Sequence, residues 1–285
     1  DPMVLRDRQD EGIGVLRRLL AGERLTYECD WFNLYDAKLQ LLPLRGEIPQ
    51  AVASMVSPSG MTLAGKYGMG ILSIGSMSTA GLAALPLQWS FAEESAAKHG
   101  HTMDRANWRV LMNWHIAETR EQARAEAMQG LHRWHTEYTV GTLQRAGAQA
   151  WDSAEETFDN MTGAGGVVIG TPDDLVQAIR DMSELAGGFG TVVGFINDFA
   201  HPEAISRSWD MVARYVLPEV NGMLDDYRES NKFVRENREY FDRAGQAILA
   251  KINENERAAD ALHDAPTSAS AIAAHSDHMA AEATS

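Results

Sequence analysis

The chain has 285 residues, 45% of them hydrophobic, enough for one large domain or two small ones around a sizeable core. Its 25 lysines and arginines against 40 acidic residues leave a formal charge of −15, which excludes a general nucleic-acid binder, since such a protein needs a basic face. Cys29 is the single cysteine, so no intrachain disulfide can form and a reducing, cytoplasmic compartment is the natural reading. No run of about 18 apolar residues marks a transmembrane helix.

Leu5, Ile13, Leu16, Leu19 and Leu20 recur at helical spacing over residues 5–21, and Gly22 follows them. Residues 25–45 read as irregular or hairpin-like, with Tyr27, Trp31, Phe32 and Tyr35 among acids. A strand is expected at 50–54, a helix at 58–67 ended by Gly68, and a strand at 70–74. An Ala- and Leu-rich helix then runs to Gly100, with breaks expected at Gly81 and Pro86. The next strand falls at 108–114. Its helix opens with the capping-box pattern Thr119-Arg-Glu-Gln122, and Thr171-Pro172-Asp173-Asp174 repeats that signal after Val167-Val168-Ile169. The last strand is placed at 190–196, before a helix with Ile205, Trp209, Val212 and Val216 on one face. Strands separated by helices predict βα units and a parallel sheet, an α/β fold. Beyond it, one amphipathic helix is expected over 229–257, with Phe233, Asn237, Phe241, Ala244, Ile248 and Ile252 on one face. A polar tail, expected to be disordered, follows from His263.

The strand at 50–54 turns directly into a helix opened by Ser57-Pro58, with only small side chains at the turn. Such a helix start, with free N–H groups and little bulk, is a seat for a phosphate at the carboxyl end of a strand. Taken alone, Ser57 reads equally as a plain N-cap.

The run Ala51-Val-Ala-Ser-Met-Val-Ser-Pro-Ser-Gly60, then Leu63-Ala-Gly-Lys-Tyr-Gly68 and Gly70-Ile-Leu-Ser73, resembles the bacterial-luciferase-like flavin monooxygenases. Trp31-Phe32 with Asp36-Ala-Lys-Leu-Gln40, His115-Ile-Ala-Glu-Thr-Arg120, Gly170-Thr-Pro-Asp-Asp174 and Gly187-Gly-Phe-Gly190 extend the likeness over residues 5–225. Within that family the chain resembles limonene 1,2-monooxygenase-like and alkanal-monooxygenase-like proteins.

The resemblance implies a TIM-type (β/α)8 barrel, of which this chain supplies the later half, about strands five to eight, with a C-terminal helical extension. The start at Asp1-Pro2-Met3 and the missing opening strands suggest an amino-terminally truncated fragment. The implied division is a barrel domain at 1–225, a helical extension at 226–262 and a tail at 263–285.

The resemblance also implies a chemistry. Reduced FMN, delivered by a separate flavin reductase, activates dioxygen, and one oxygen atom enters a small apolar substrate of the terpene or aldehyde type. Ser57, Ser59 and Gly60 would contact the FMN phosphate, with the charge supplied by the helix end and Lys66 left solvated. Ala53, Ser54 and Met55 would lie beneath the flavin ring, and Ser73 and Gly75 would line the same pocket. His115, at a strand end, is either a local hydrogen-bond partner or a catalytic group that handles a proton. A homo-oligomer at full length, no membrane and no nucleic acid complete the implication. The same fold also serves deazaflavin-dependent oxidoreductases, and a non-catalytic flavin-binding protein or inert fragment is the reading from another class.

No metal is expected. His99 and His101 flank a glycine in a turn before a strand, and His132 and His135 lie three apart on a helix without an evident third ligand. Gly163-Ala-Gly-Gly166 precedes the apolar run instead of following it, so it reads as a loop or lid. Met55, Met61, Met69 and Met77 are expected in the core or the pocket wall.

Overall fold

The computed structural model describes residues 2–144 and 147–263. It divides into two compact units, one ending at Gly222 and one starting at Met223.

The spaced leucines of the amino-terminal segment form helix α1 (Pro2–Leu20). An antiparallel hairpin follows, β1 (Leu25–Glu28) and β2 (Asn33–Ala37). Glu11 of α1 accepts from the Tyr27 hydroxyl (2.9 Å) and the Trp31 indole (2.8 Å), which holds the hairpin on the helix.

Strand β3 (Ala51–Ser54) and helix α2 (Pro58–Tyr67) fall where Ser57-Pro58 predicts, and Gly68 ends α2 in the left-handed region at φ 60°. Strand β4 (Gly70–Ser73) leads through a 3-10 turn (Gly75–Met77) into α3 (Thr79–Lys98). Helix α3 runs unbroken through Gly81 and Pro86, contrary to the breaks expected there. Pro86 removes one backbone donor, yet Leu85 and Trp89 beside it are buried in the core, and packing holds the helix across the gap. Gly81 marks close approach: a Cβ there would collide with the Gly75 carbonyl.

Strand β5 (Trp108–Ile116) is the longest strand. Helix α4 (Arg120–Arg133) starts from Thr119, whose hydroxyl accepts from Gln122 N, but the Gln122 side chain turns to Glu126, so only half of the expected capping box forms. A π-helical stretch, Trp134–Thr142, continues α4. After α5 (Ala154–Gly163) come β6 (Val168–Gly170) and α6 (Pro172–Ala186), opened by a complete Thr171–Asp174 capping box. Strand β7 (Thr191–Phe195) precedes α7 (Pro202–Met211), a short π-helical turn (Val212–Val216) and α8 (Leu217–Val220).

Every pairing in the main sheet is parallel. Strands β3, β4 and β5 lie side by side in chain order, β7 takes Arg109–Asn113 of β5, and β6 takes Trp114–Ile116. Neighbours in chain order, each joined through a helix, are the mark of successive βα units. One face of the sheet is covered. There Val52, Ile71, Trp108 and Val110 pack with Met61 of α2, Leu85 and Trp89 of α3, and Leu175 and Met182 of α6. Trp89 stacks on Trp108 at 4.8 Å, and the Arg105 guanidinium lies over both rings while donating to the carbonyls of Ala186 and Gly188. On the other face Ala51, Ala53 and Phe195 are exposed. Among the described residues, β3 and β7 each have one strand partner. Parallel sheets normally bury both faces.

The second unit contains α9 (Asp225–Glu236), α10 (Arg238–Asn253) and α11 (Glu256–His263). The single helix expected over 229–257 is thus interrupted at Asn237 and again after Asn253. Phe233 and Phe241 still meet, edge to face at 6.3 Å. Beyond His263, the expected tail lies outside the described residues. No helix among the described residues is long and apolar enough to cross a membrane.

Candidate functional site

Five parallel strands end on the same side of the sheet, and α/β folds place their chemistry at that end. There α2 begins. Ser57 occupies the N-cap position with extended backbone (φ −73°, ψ 150°), yet its side chain makes no capping hydrogen bond. Pro58 fills the first helical position, and the first turn carries no acid. Ser57 is exposed, and Ser59 and Gly60 are half-buried. A free hydroxyl, unpaired helix N–H groups and the positive end of the helix dipole therefore converge without a countercharge.

Gly60 sets α2 directly on the strand end: a Cβ there would stand 2.9 Å from the Ala53 carbonyl and 3.0 Å from Ser54 Cβ. Ser54 is 2% exposed, and its hydroxyl has no hydrogen-bond partner. Ser54 shares the covered face with Val52, so its hydroxyl lies beneath α2 and away from the open helix start. Ser57, Ser59 and the first N–H groups of α2 fit a phosphate-bearing cofactor.

Of the residues expected beneath a flavin ring, Ala53 is exposed on the bare face of the sheet and Met55 is exposed at the strand end. Gly75 lies against Met55, since a Cβ on Gly75 would approach the Met55 carbonyl to 2.8 Å. Ser73 is placed differently. It is fully buried on the covered face, and its hydroxyl accepts from the Trp108 indole at 2.9 Å, so it is engaged in the core. Lys66 departs from the solvated position expected for it. Its ammonium binds both carboxylate oxygens of Asp10 (2.8 and 2.6 Å), which raises the lysine pKa and ties α2 to α1.

His115 is 2% exposed at the end of β5. Its Nε2 lies 2.9 Å from Glu126 Oε2, while Glu126 Oε1 accepts from Gln122 (2.9 Å) and Arg207 (2.7 Å). Burial pushes the Glu126 pKa up, but the bonds from Gln122 and His115 and the Arg207 charge outweigh it and hold the carboxyl below its usual range. Three further histidines face protein groups: His99 meets the Ser95 carbonyl, His132 the Thr157 hydroxyl and His135 the Gln149 carbonyl. The Gly163–Gly166 loop lies over the start of α3, where the Thr79 hydroxyl donates to the Ala164 carbonyl at 3.1 Å. Met61 and Met69 are core residues.

Sequence reasoning missed Gln88 and Glu126. Gln88 is buried in α3 and donates to the Met55 carbonyl, and nothing in a lone glutamine among alanines and leucines announces that contact. Glu126 lies 11 residues from His115, and no local pattern links the two.

Residues 5–188 match the family described as luciferase-like monooxygenase. The chain belongs to the luciferase-like monooxygenase family. Two curated relatives agree with this membership. The 4-hydroxyprotoasukamycin monooxygenase of Streptomyces nodosus subsp. asukaensis is 41% identical over 243 residues, 83% of this chain and 64% of the relative. Limonene 1,2-monooxygenase of Rhodococcus erythropolis is 39% identical over 263 residues, 90% of this chain and 66% of the relative. The chain thus spans just under two thirds of the length of these family members. The oxygenating constituent of 3,6-diketocamphane monooxygenase from Pseudomonas putida, solved in complex with FMN, shares the family fold with a TM-score of 0.58 at 24% identity, over 76% of this chain and 64% of that one.

Proposed function

We propose that this chain carries the phosphate seat of an FMN-dependent monooxygenase that inserts one oxygen atom of dioxygen into a small apolar substrate of the terpene or aldehyde type. The observation that carries the reading is the uncapped Ser57 hydroxyl at an acid-free helix start. Family membership supports it, as do relatives named for monooxygenation of limonene and 4-hydroxyprotoasukamycin and a family fold solved with FMN.

In this reading Ser57 and Ser59 hydroxyls and the first N–H groups of α2 bind the phosphate, and the helix dipole offsets its charge. The small side chains of Ala51 and Ala53 let a flat ring approach the bare sheet face. When bound, reduced FMN supplies the electrons that activate dioxygen. Gly75 and Met55 shape the wall beside the ring. His115, held by Glu126, braces the end of β5 and does not touch the reacting groups. Strands β3, β4, β5 and β7 are read as the later arc of a (β/α)8 barrel, whose other strands cover the bare face. A separate flavin reductase and a homo-oligomer of the whole protein belong to the same proposal.

Titration with FMN and with riboflavin tests the seat, because riboflavin lacks the phosphate. Replacing Ser57 and Ser59 together by Ala is expected to weaken FMN by about tenfold or more and to leave riboflavin unchanged. Equal loss of both ligands would reduce these serines to structural groups. Anaerobic turnover with a reduced deazaflavin would instead favour the hydride-transferring oxidoreductases of this fold.

A further inference from the structure

Helices α9 and α10 make up most of the second unit, yet no described side chain from residue 223 to 261 is buried. Apolar residues nonetheless keep a strict order along them. Tyr227, Val234, Phe241 and Ile248 stand seven residues apart, 77%, 51%, 42% and 61% exposed. Phe233 and Tyr240, each one residue before a member of that series, are 58% and 62% exposed. A seven-residue period keeps one face of a helix in line. Small side chains run down the middle of this face, Ser230, Asn237 and Ala244. Asn237 (φ −111°, ψ 28°) donates its Nδ2 to the Phe233 carbonyl at 2.8 Å, which closes α9. Phe233 meets Phe241 across that break, so the apolar stripes of the two helices adjoin.

The face is large enough for a stable contact. A buried aromatic side chain covers about 150–250 Å², so at these exposures the six residues offer roughly 700 Å². A standard interface takes about 800 Å² from each partner, with a polar rim included. Charge narrows the choice of partner. Residues 223–263 hold seven basic and nine acidic side chains, a net of −2 in a chain of −15. A basic partner is drawn to the more acidic remainder of such a chain, and a lipid surface calls for a helix rich in lysine and arginine on its polar face. A nearly neutral face on an otherwise acidic chain is where a second copy meets the least repulsion.

We infer that two copies of the chain pair through this face, α9 of one lying antiparallel to α10 of the other. The order of side-chain sizes carries the direction. Reversed against itself, the face sets Val234 opposite Ala244, Phe241 opposite Asn237 and Ile248 opposite Ser230, so each large side chain meets a small one. Tyr227 falls opposite the aliphatic stem of Lys251. A parallel pairing would instead stack Phe241 on Phe241 and leave Ser230 facing Ser230 across a gap. The antiparallel contact uses the same surface on both copies and closes as a dimer. It goes beyond the oxygenase reading: it gives the homo-oligomer its contact and requires no flavin chemistry.

Sedimentation velocity of the chain between about 1 and about 100 µM is expected to show a monomer–dimer equilibrium with a micromolar dissociation constant. Val234→Lys and Phe241→Lys, both at exposed positions, should each raise that constant about thirtyfold or more. Far-UV circular dichroism checks that the helices persist. Cross-linking reads the direction. Val234→Cys and Ala244→Cys, made in separate proteins that also carry Cys29→Ser, should on mixing and oxidation form a disulfide between positions 234 and 244, identified by peptide mass spectrometry. Gln246→Cys, on the far side of α10, should give none. A monomer throughout the range, or a dimer unmoved by both lysine variants, overturns the interface. Disulfides joining 234 to 234 and 244 to 244 overturn the antiparallel order. FMN titrations report on the phosphate seat and these measurements on the helices, so either reading can fail while the other stands.

Discussion

Gln88 donates its side-chain amide to the carbonyl of Met55, across 33 residues of sequence. The contact joins the third turn of α3 to the residue that follows β3, two residues before Ser57. Ile74 N adds a bond to the Ser54 carbonyl at 2.9 Å, so the ends of β3 and β4 and helix α3 form one braced corner.

Gln88→Leu keeps similar bulk and leaves the Met55 carbonyl without its partner. A loss of about 1–3 kcal/mol in stability is expected from the stranded acceptor, read as the midpoint shift in urea unfolding. FMN affinity should fall as well, although Gln88 is not among the phosphate-seat residues, because the chain entering α2 loses its brace. An unchanged FMN affinity together with full stability would show that the corner holds without this bond.

His115 and Glu126 call for a different experiment. His115→Ala should lower thermal stability, since Glu126 Oε2 loses its partner while Oε1 keeps Gln122 and Arg207, at a cost of about 1–3 kcal/mol. The turnover number should change little in the fraction that remains folded. A fall of about a hundredfold in turnover with an unaltered melting temperature would instead make His115 catalytic.

Asp174 gives the fold a pH dependence of known sign. The Arg120 guanidinium first, then the Thr171 backbone and hydroxyl, hold its carboxyl well below the usual range, against the opposing effect of burial. A depressed folded-state pKa stabilises the protein above the unfolded value of about 3.9 and loses that contribution as pH falls below it. Asp174→Asn should therefore be less stable than the parent near pH 7, by about 1–2 kcal/mol from the capping box, because Arg120 is largely exposed and its share is screened. The gap should narrow as the pH drops through 4 toward 2, measured by denaturant unfolding. A constant gap over that range would detach the effect from ionisation.

The sequence carried the sheet and the helix start at Ser57 because their signals are local. Ser57-Pro58 and Gly68 bracket α2, and Thr171 with Asp174 opens α6, each through the backbone chemistry of a few adjacent residues. The continuity of α3 escaped, because local propensity at Gly81 and Pro86 opposes a helix that burial of Leu85 and Trp89 enforces. Ser73 was misplaced for a related reason: a small polar residue at a strand end reads as lining a pocket, and only the distant Trp108 indole reveals its role in the core. The π-helical stretch at Trp134–Thr142 has no pattern of its own. Its sequence is compatible with an ordinary helix, and the wider turn emerges from packing against Trp151 and Phe199.

Strand β5 has consequences for how the protein is made. Its first residues gain β4 as soon as they emerge from the ribosome, but their other flank waits for Thr191–Phe195, more than 75 residues later. At translation rates of about 5–20 residues per second, that flank stays unpaired for several seconds. Throughout that interval a nascent chain presents a long apolar strand to its neighbours, so yield in the cell should depend on chaperones that shield it until β7 arrives.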